Sequence, residues 1–171
     1  MEIDARKMMI KAIGNDNLDM AVKALLNGFD PLTYINLYQI EIALINAVAY
    51  RREKIVRLLI PYSDCNQRSY GVDTTAPTYA TRRGYTDILK FILPHTDLTL
   101  RDKDGDIEDN TKIYGHKTCL DLIHMWKSLI RNRPKTQTVV KMCLQWHEIS
   151  MPTDFYEEVV KNWLIVSLDK K

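Results

Sequence analysis

Residues 83–93 read Arg83-Gly84-Tyr85-Thr86-Asp87-Ile88-Leu89-Lys90-Phe91-Ile92-Leu93. This is a turn followed by apolar side chains at helical spacing, which predicts a short helix with one face turned to a core. Ahead of the turn stands Ala80-Thr81, and behind the helix comes Thr96-Asp97-Leu98. The same order occurs twice upstream. Ala47-Val48 leads through Arg51-Arg52 into Ile55-Val56-Arg57-Leu58-Leu59-Ile60 and ends at Ser63-Asp64-Cys65-Asn66. Ala12-Ile13 leads through Asp16-Asn17 into residues 18–26 and ends at Gly28-Phe29-Asp30-Pro31. The leading alanines are 35 and 33 residues apart.

Each unit therefore reads as two short helices, the first with small residues that let a neighbour approach. Ile55, Val56, Leu58 and Leu59 are expected in the core. Neither helix could bury its apolar face alone, whereas stacked units could, and this is the physics of a solenoid. The remaining arithmetic fits one folded domain. The chain has 171 residues, 46% hydrophobic and 27% charged, with 24 basic against 22 acidic side chains. Ordinary apolar content with a net charge of only +2 excludes disorder as the main state, and that charge gives no support to general nucleic-acid binding. No apolar run reaches the roughly 18 residues of a membrane helix. The opening residues lack the apolar segment of a secretory signal. Three cysteines, Cys65, Cys119 and Cys143, do not make a disulfide framework. The expected setting is intracellular: cytoplasm, nucleus, or a host cell if the chain is an effector.

The pattern resembles the ankyrin-repeat family. Asn27-Gly28-Phe29-Asp30-Pro31 is similar to the end of such a repeat, Ile42-Ala43-Leu44-Ile45-Asn46-Ala47-Val48 to its first helix, and residues 83–93 to its turn and second helix. The resemblance implies an all-α helical repeat solenoid with short finger loops or hairpins. Units are expected at about 5–36, 37–69, 70–101 and 113–149. Thr118-Cys119-Leu120-Asp121-Leu122-Ile123 is read as opening the fourth unit, with its second helix at 138–146. An acidic insertion then falls at 102–115 and a second insertion at 127–135. The family histidine that ties fingers together is replaced by Ile45, Thr78 and Asp121. The first finger, residues 31–39, is expected to be irregular. Asp154 and Glu157 suggest a helix cap, so a capping helix is placed at 153–168.

Chemistry finds little footing. His116, Cys119, His124, Cys143 and His147 cluster in the fourth unit and are zinc-type ligands, but not at a known zinc spacing. Asp102, Asp104 and Asp106 have the 1-3-5 spacing of a calcium loop, yet its sixth and twelfth positions hold Ile107 and Ile113. No nucleophile elbow or phosphate loop is present. The reading is a non-catalytic protein-binding module without cofactor or metal. A small zinc protein or enzyme built on the fourth unit is the alternative.

The resemblance also places the binding surface, on finger tips and first helices. It implies Tyr38, Gln39, Glu41, Ala49 and Tyr50, then Val72, Thr74, Arg82 and Arg83, then Tyr114, Lys117, Met125 and Trp126. Tyr, Trp and Arg dominate interface hot spots. Arg51-Arg52 and Arg82-Arg83 fall at the same turn of successive units, with Lys127, Arg131, Arg133 and Lys135 beyond. Stacking is expected to align them as a basic edge for an acidic segment of a partner protein. The family includes inhibitors and host-protein mimics, so an inhibitor or host-interaction effector is the implied role. A monomer is the favoured state.

Overall fold

The computed structural model describes residues 4–32, 34–36, 41–69 and 73–132. The chain divides into two compact units at Leu122/Ile123. In the second unit the described residues are the last turns of one helix.

The first unit is built from antiparallel helix pairs. They are α1 (Ala5–Gly14) with α2 (Leu18–Leu26), α3 (Ala43–Ala49) with α4 (Glu53–Leu59), and α5 (Ala76–Arg83) with α6 (Thr86–Ile92). A fourth pair follows, α7 (Ile107–Tyr114) and α8 (Lys117–Asn132). The first helices α1, α3, α5 and α7 pack side by side in chain order, and so do α2, α4 and α6. This is an all-α repeat solenoid. Its first finger is a short antiparallel pair, β1 (Tyr34–Asn36) and β2 (Glu41–Ile42), broken by a register shift.

One backbone device makes every pair. Asp16, Arg51, Gly84 and Gly115 adopt left-handed φ values of 52°, 54°, 70° and 75°. The amide of each donates to the carbonyl three residues back, at Ile13, Val48, Thr81 and Lys112. The next amide donates to the carbonyl five residues back, at Ala12, Ala47, Ala80 and Thr111. These bonds satisfy the orphan carbonyls at the helix end and reverse the chain. A second device closes each of the first three units. Asp30, Asp64 and Asp97 accept from the amide two residues on, at 3.0, 2.8 and 2.9 Å. Side chains of this type turn the backbone without help from neighbours.

Caps start the helices where a polar side chain is available. Asp4, Asn17, Thr75 and Asp106 each accept from an amide of the first turn. Ala12, Ala47 and Ala80 are fully buried, which lets the first helices approach closely. Ile55, Val56 and Leu59 of α4 and Ile88, Leu89 and Ile92 of α6 fill the layer behind them. Each such side chain is worth about 1.5–3 kcal/mol of burial. Leu58, expected beside them, is only half-buried.

The fourth unit differs from its sequence reading. Residues 102–115 are no insertion: they hold a tight loop, the α7 helix and the turn at Gly115. Thr111 takes the place of the leading alanine, 31 residues after Ala80. Residues 118–123 belong to the second helix of the pair, not the first, and α8 runs unbroken through 127–132. The position of the family histidine is consequently Asp109, not Asp121. Its carboxylate accepts from the Asp106 amide at 3.3 Å and completes a capping box. Thr78 bonds the Thr75 hydroxyl at 3.0 Å, while Ile45 is buried in the core. The second helix expected at 138–146 and the capping helix at 153–168 lie outside the described residues.

Candidate functional site

The residue just before each left-handed turn stands at the exposed end of a first helix. These residues are Asn15, Tyr50, Arg83 and Tyr114, and all four are exposed. Tyr50 and Tyr114 keep 57% and 45% of their surface in water, and Ile113 beside the latter keeps 63%. A phenol ring left outside at the same point of two units is unusual for a scaffold that asks only for a helix end there. Helix neighbours lie about 8–10 Å apart, so Tyr50, Arg83 and Tyr114 span roughly 16–20 Å. An extended chain rising about 3.3 Å per residue covers that in roughly six residues.

Each aromatic ring is backed by an arginine. The Arg52 guanidinium lies 6.0 Å from the Tyr50 ring centre and Arg82 lies 5.8 Å from Tyr114. Arg83 lies 5.5 Å from the Tyr79 ring and donates to its hydroxyl at 3.3 Å. Cations over ring faces hold such side chains in one orientation.

The expected basic edge takes a different form. Arg51 donates through Nε and Nη2 to Asp87 Oδ2 at 3.2 and 3.0 Å. Arg52 donates to the carbonyls of Ile13 and Gly14 at 2.9 and 3.0 Å, capping the end of α1, and stands 3.9 Å from Asp16. Arg82 donates to Asn110 Oδ1 at 2.9 Å, Asp102 Oδ2 at 2.9 Å and Asp104 Oδ2 at 2.8 Å. These three arginines bind the chain to itself across unit boundaries. Their donors are committed because each turn places them opposite a carboxylate or a helix end of the neighbouring unit. Arg83 remains exposed, and among the described residues its partner is a phenol and not a carboxylate.

The acidic loop has the matching fate. Asp102 and Asp104 neutralise Arg82, and Asp106 caps α7 through the amides of Glu108 and Asp109 at 2.8 and 2.9 Å. The 1-3-5 aspartates thus face an arginine and a helix end. Among the described residues, no three His, Cys, Asp or Glu side chains gather as a metal would need. Cys119 is buried with its sulfur 3.2 Å from the Thr86 hydroxyl, and burial raises its pKa despite that bond. His116 bonds the Arg82 carbonyl at 3.1 Å through Nε2. Cys143 and His147 lie outside the described residues.

Of the other sequence-predicted residues, Ala49 is half-buried and Lys117 is exposed. Thr74 is buried, so it is no contact residue. Glu41 lies on strand β2. Met125 and Trp126 are half-buried on α8 within the second unit, which also holds Lys127 and the exposed Arg131. Tyr38, Gln39, Val72, Arg133 and Lys135 lie outside the described residues. The alignment of Tyr50, Arg83 and Tyr114 was hidden by the misplaced fourth unit. The signal that finds it is Gly84 and Gly115, each just after a helix whose cap stands nine residues earlier, at Thr75 and Asp106.

Comparison with known families gives one match. A family model described as ankyrin repeats (3 copies) covers residues 8–104. No curated protein matches the chain. The fourth pair, which lies past the end of that match, repeats the same turn geometry.

Proposed function

The chain belongs to the ankyrin-repeat family, whose members are generally protein–protein interaction modules, and from that we propose that it binds a partner protein through the exposed ends of its first helices. The observation that carries this is the row Tyr50, Arg83, Tyr114, with Ile113 and Tyr79 beside it. Aromatic side chains and arginine bring large contact area with few rotatable bonds, so little entropy is lost on binding. The row holds no carboxylate, and among the described residues none pairs with the Arg83 guanidinium. An extended partner segment with an acidic residue near its middle suits that arrangement. Arg51, Arg52 and Arg82 support the surface by fixing the units and are not themselves contacts. The family resemblance assigns finger residues Tyr38, Gln39 and Glu41 to the partner as well. In this reading the chain performs no catalysis. An inhibitor or host-directed effector role follows from the family resemblance and is tested by the identity of the captured protein. Among the described residues no helix is long and apolar enough to cross a membrane.

A photo-crosslinking amino acid placed in turn at 50, 83 and 114 tests the reading, with positions 23 and 54 on the second helices as controls. The expected result is one protein captured from the first set and not from the controls. Capture from 23 and 54 alone would overturn it. Arg83→Glu is expected to weaken that capture, while Lys54→Glu leaves it unchanged.

A further inference from the structure

The row Tyr50, Arg83, Tyr114 has a fixed pitch. Tyr50 caps α3, and Arg83 and Tyr114 end α5 and α7. These three helices pack side by side in chain order. Each row member precedes the same left-handed turn, so each leaves its helix at the same point. Successive members therefore stand about 8–10 Å apart, the spacing of packed helices. The arginines behind the rings keep that pitch from drifting. Arg52 and Arg82 lie over the Tyr50 and Tyr114 rings, and both are fastened in turn to the neighbouring unit.

A bound segment has to place side chains on the same pitch. A β-strand turns every second residue to one face, about 6.6 Å apart, and points the third residue away. It could meet both tyrosines only with its middle residue turned from Arg83. An α-helix returns to one face after seven residues and about 10.5 Å, so it needs about 14 residues to cross the row. Its body, about 10–12 Å wide, would meet a single file of helix ends along one narrow stripe. A polyproline II helix has three residues per turn, so every third residue returns to one face after about 9.3 Å. That repeat falls inside the pitch of the row.

The side chains suit the same ligand. Tyr50 and Tyr114 offer flat apolar rings on which a proline ring packs. Their hydroxyls can donate to the carbonyls of a polyproline II helix, which makes no hydrogen bonds within itself. Exposed Ile113 widens the apolar surface beside Tyr114. Arg83 stands between the two rings. Its Nη2 donates to the Tyr79 hydroxyl at 3.3 Å, and the guanidinium fork has further N–H groups for a carboxylate.

We propose that the partner segment is a polyproline II helix with proline at its first and seventh positions and an acidic residue at its fourth. The proposal deepens the binding reading above and rests on it. Such a helix is stiff before it binds, so little entropy is lost in ordering it. The row is tyrosine, arginine, tyrosine from either end, so the spacing is met in either chain direction.

Peptide titrations of the full chain, followed by amide NMR shifts and by fluorescence anisotropy, test the spacing. The probe is Pro-Pro-Ala-Asp-Pro-Ala-Pro, whose expected footprint is the amides of Tyr50, Arg83 and Tyr114. Its isomer Pro-Pro-Asp-Ala-Pro-Ala-Pro, with the acid one place early, should bind at least about tenfold more weakly, because the charge leaves the face toward Arg83. Pro-Thr-Val-Asp-Thr-Val-Pro keeps the contacts but favours a strand, and should lose a similar factor, about tenfold. Tyr50→Ala and Tyr114→Ala should each weaken the first peptide by about tenfold, as hot-spot tyrosines do. Tyr62→Ala, at an exposed tyrosine outside the row, should leave it unchanged. Equal affinity for the three peptides, tighter binding of the strand former, or no footprint at about 1 mM peptide would overturn the proposal.

The crosslinked partner keeps the two readings apart. The partner residues joined to positions 50 and 114 should lie about six apart in its sequence. A separation of about 14 would mean a bound α-helix, overturning this proposal while the binding reading stands. No protein captured at 50, 83 or 114 would remove both.

Discussion

The imidazole of His116 lies against the backbone of Gly84, where an added methyl group would stand 2.6 Å from Nδ1. The two residues occupy neighbouring turns of the third and fourth units. Among the described residues, Gly115, the corresponding turn glycine one unit on, has no such neighbour within 4 Å. Both have left-handed φ values, so alanine at either site costs about 1–2 kcal/mol of backbone strain. Gly84→Ala must also displace the ring, adding about 1–3 kcal/mol of overpacking. Urea midpoints of the two variants should differ in that order. Equal losses would mean that the ring moves aside freely.

Two arginines at the same stage of adjacent units should behave differently. Arg51 and Asp87 form an exposed pair, and such pairs contribute about 0–1 kcal/mol. Arg82 is largely enclosed, and removing one partner from a buried ion pair costs about 3–5 kcal/mol. Arg51→Gln should therefore shift the denaturation midpoint slightly and Arg82→Gln strongly. Raising the salt from 0.05 to 0.5 M should erase the Arg51 effect and leave most of the Arg82 effect.

The second helix of the second unit offers a contrast between neighbours. Leu59 is fully buried and Leu58 is half-buried. Leu59→Ala should cost about 2–5 kcal/mol, and Leu58→Ala clearly less. A calorimetric comparison checks the order, and a reversed order would misplace the face of α4.

Alkaline pH should expose the buried thiol. Burial, with the Asp64 carboxylate beside it, pushes Cys65 from its ordinary 9.0 up to about 12. Between those values the unfolded chain has lost a proton that the folded chain still holds. Stability is thus fully present below pH 9 and falls as pH rises, by about 1.4 kcal/mol per unit for this one group. Melting temperatures measured from pH 8 to 11 should decline more steeply for the natural chain than for Cys65→Ala. Parallel declines would show that other groups govern the alkaline limb.

The first three units were legible because alanine, turn and aliphatic helix recur at nearly fixed spacing. The fourth was misread because Thr111 stands where an alanine was sought, and an acid-rich run looks like a loop. Its helix forms nevertheless: Asp106 and Asp109 cap it, Asp102 and Asp104 gain a cation in Arg82, and Glu108 pairs with Lys112. That arginine joins residues 20, 22 and 28 positions away, and no periodicity announces such pairs. The left-handed turns were partly hidden as well, since two of the four are not glycine. Tyr50, Arg83, Arg51, Arg52, Arg82 and Tyr114 were all singled out from sequence. Their division into surface and staple needed coordinates, because arginine serves both.

Arg51 and Arg52 are adjacent yet face opposite ways, one toward Asp87 ahead and the other toward the Ile13 and Gly14 carbonyls behind. Every unit has carbonyls to offer at its turn, so the backward grip would suit any predecessor. The forward grip is selective. The counterpart of Asp87 in the second unit itself is Lys54, 33 residues earlier. A tandem copy of residues 43–75 would bring Arg51 against a lysine, and the repulsion would fall at the new junction. The units are therefore not interchangeable tiles: their succession is written in charge, and an array lengthened by copying this segment would set two cations side by side at its new junction where the natural chain sets Arg51 against Asp87.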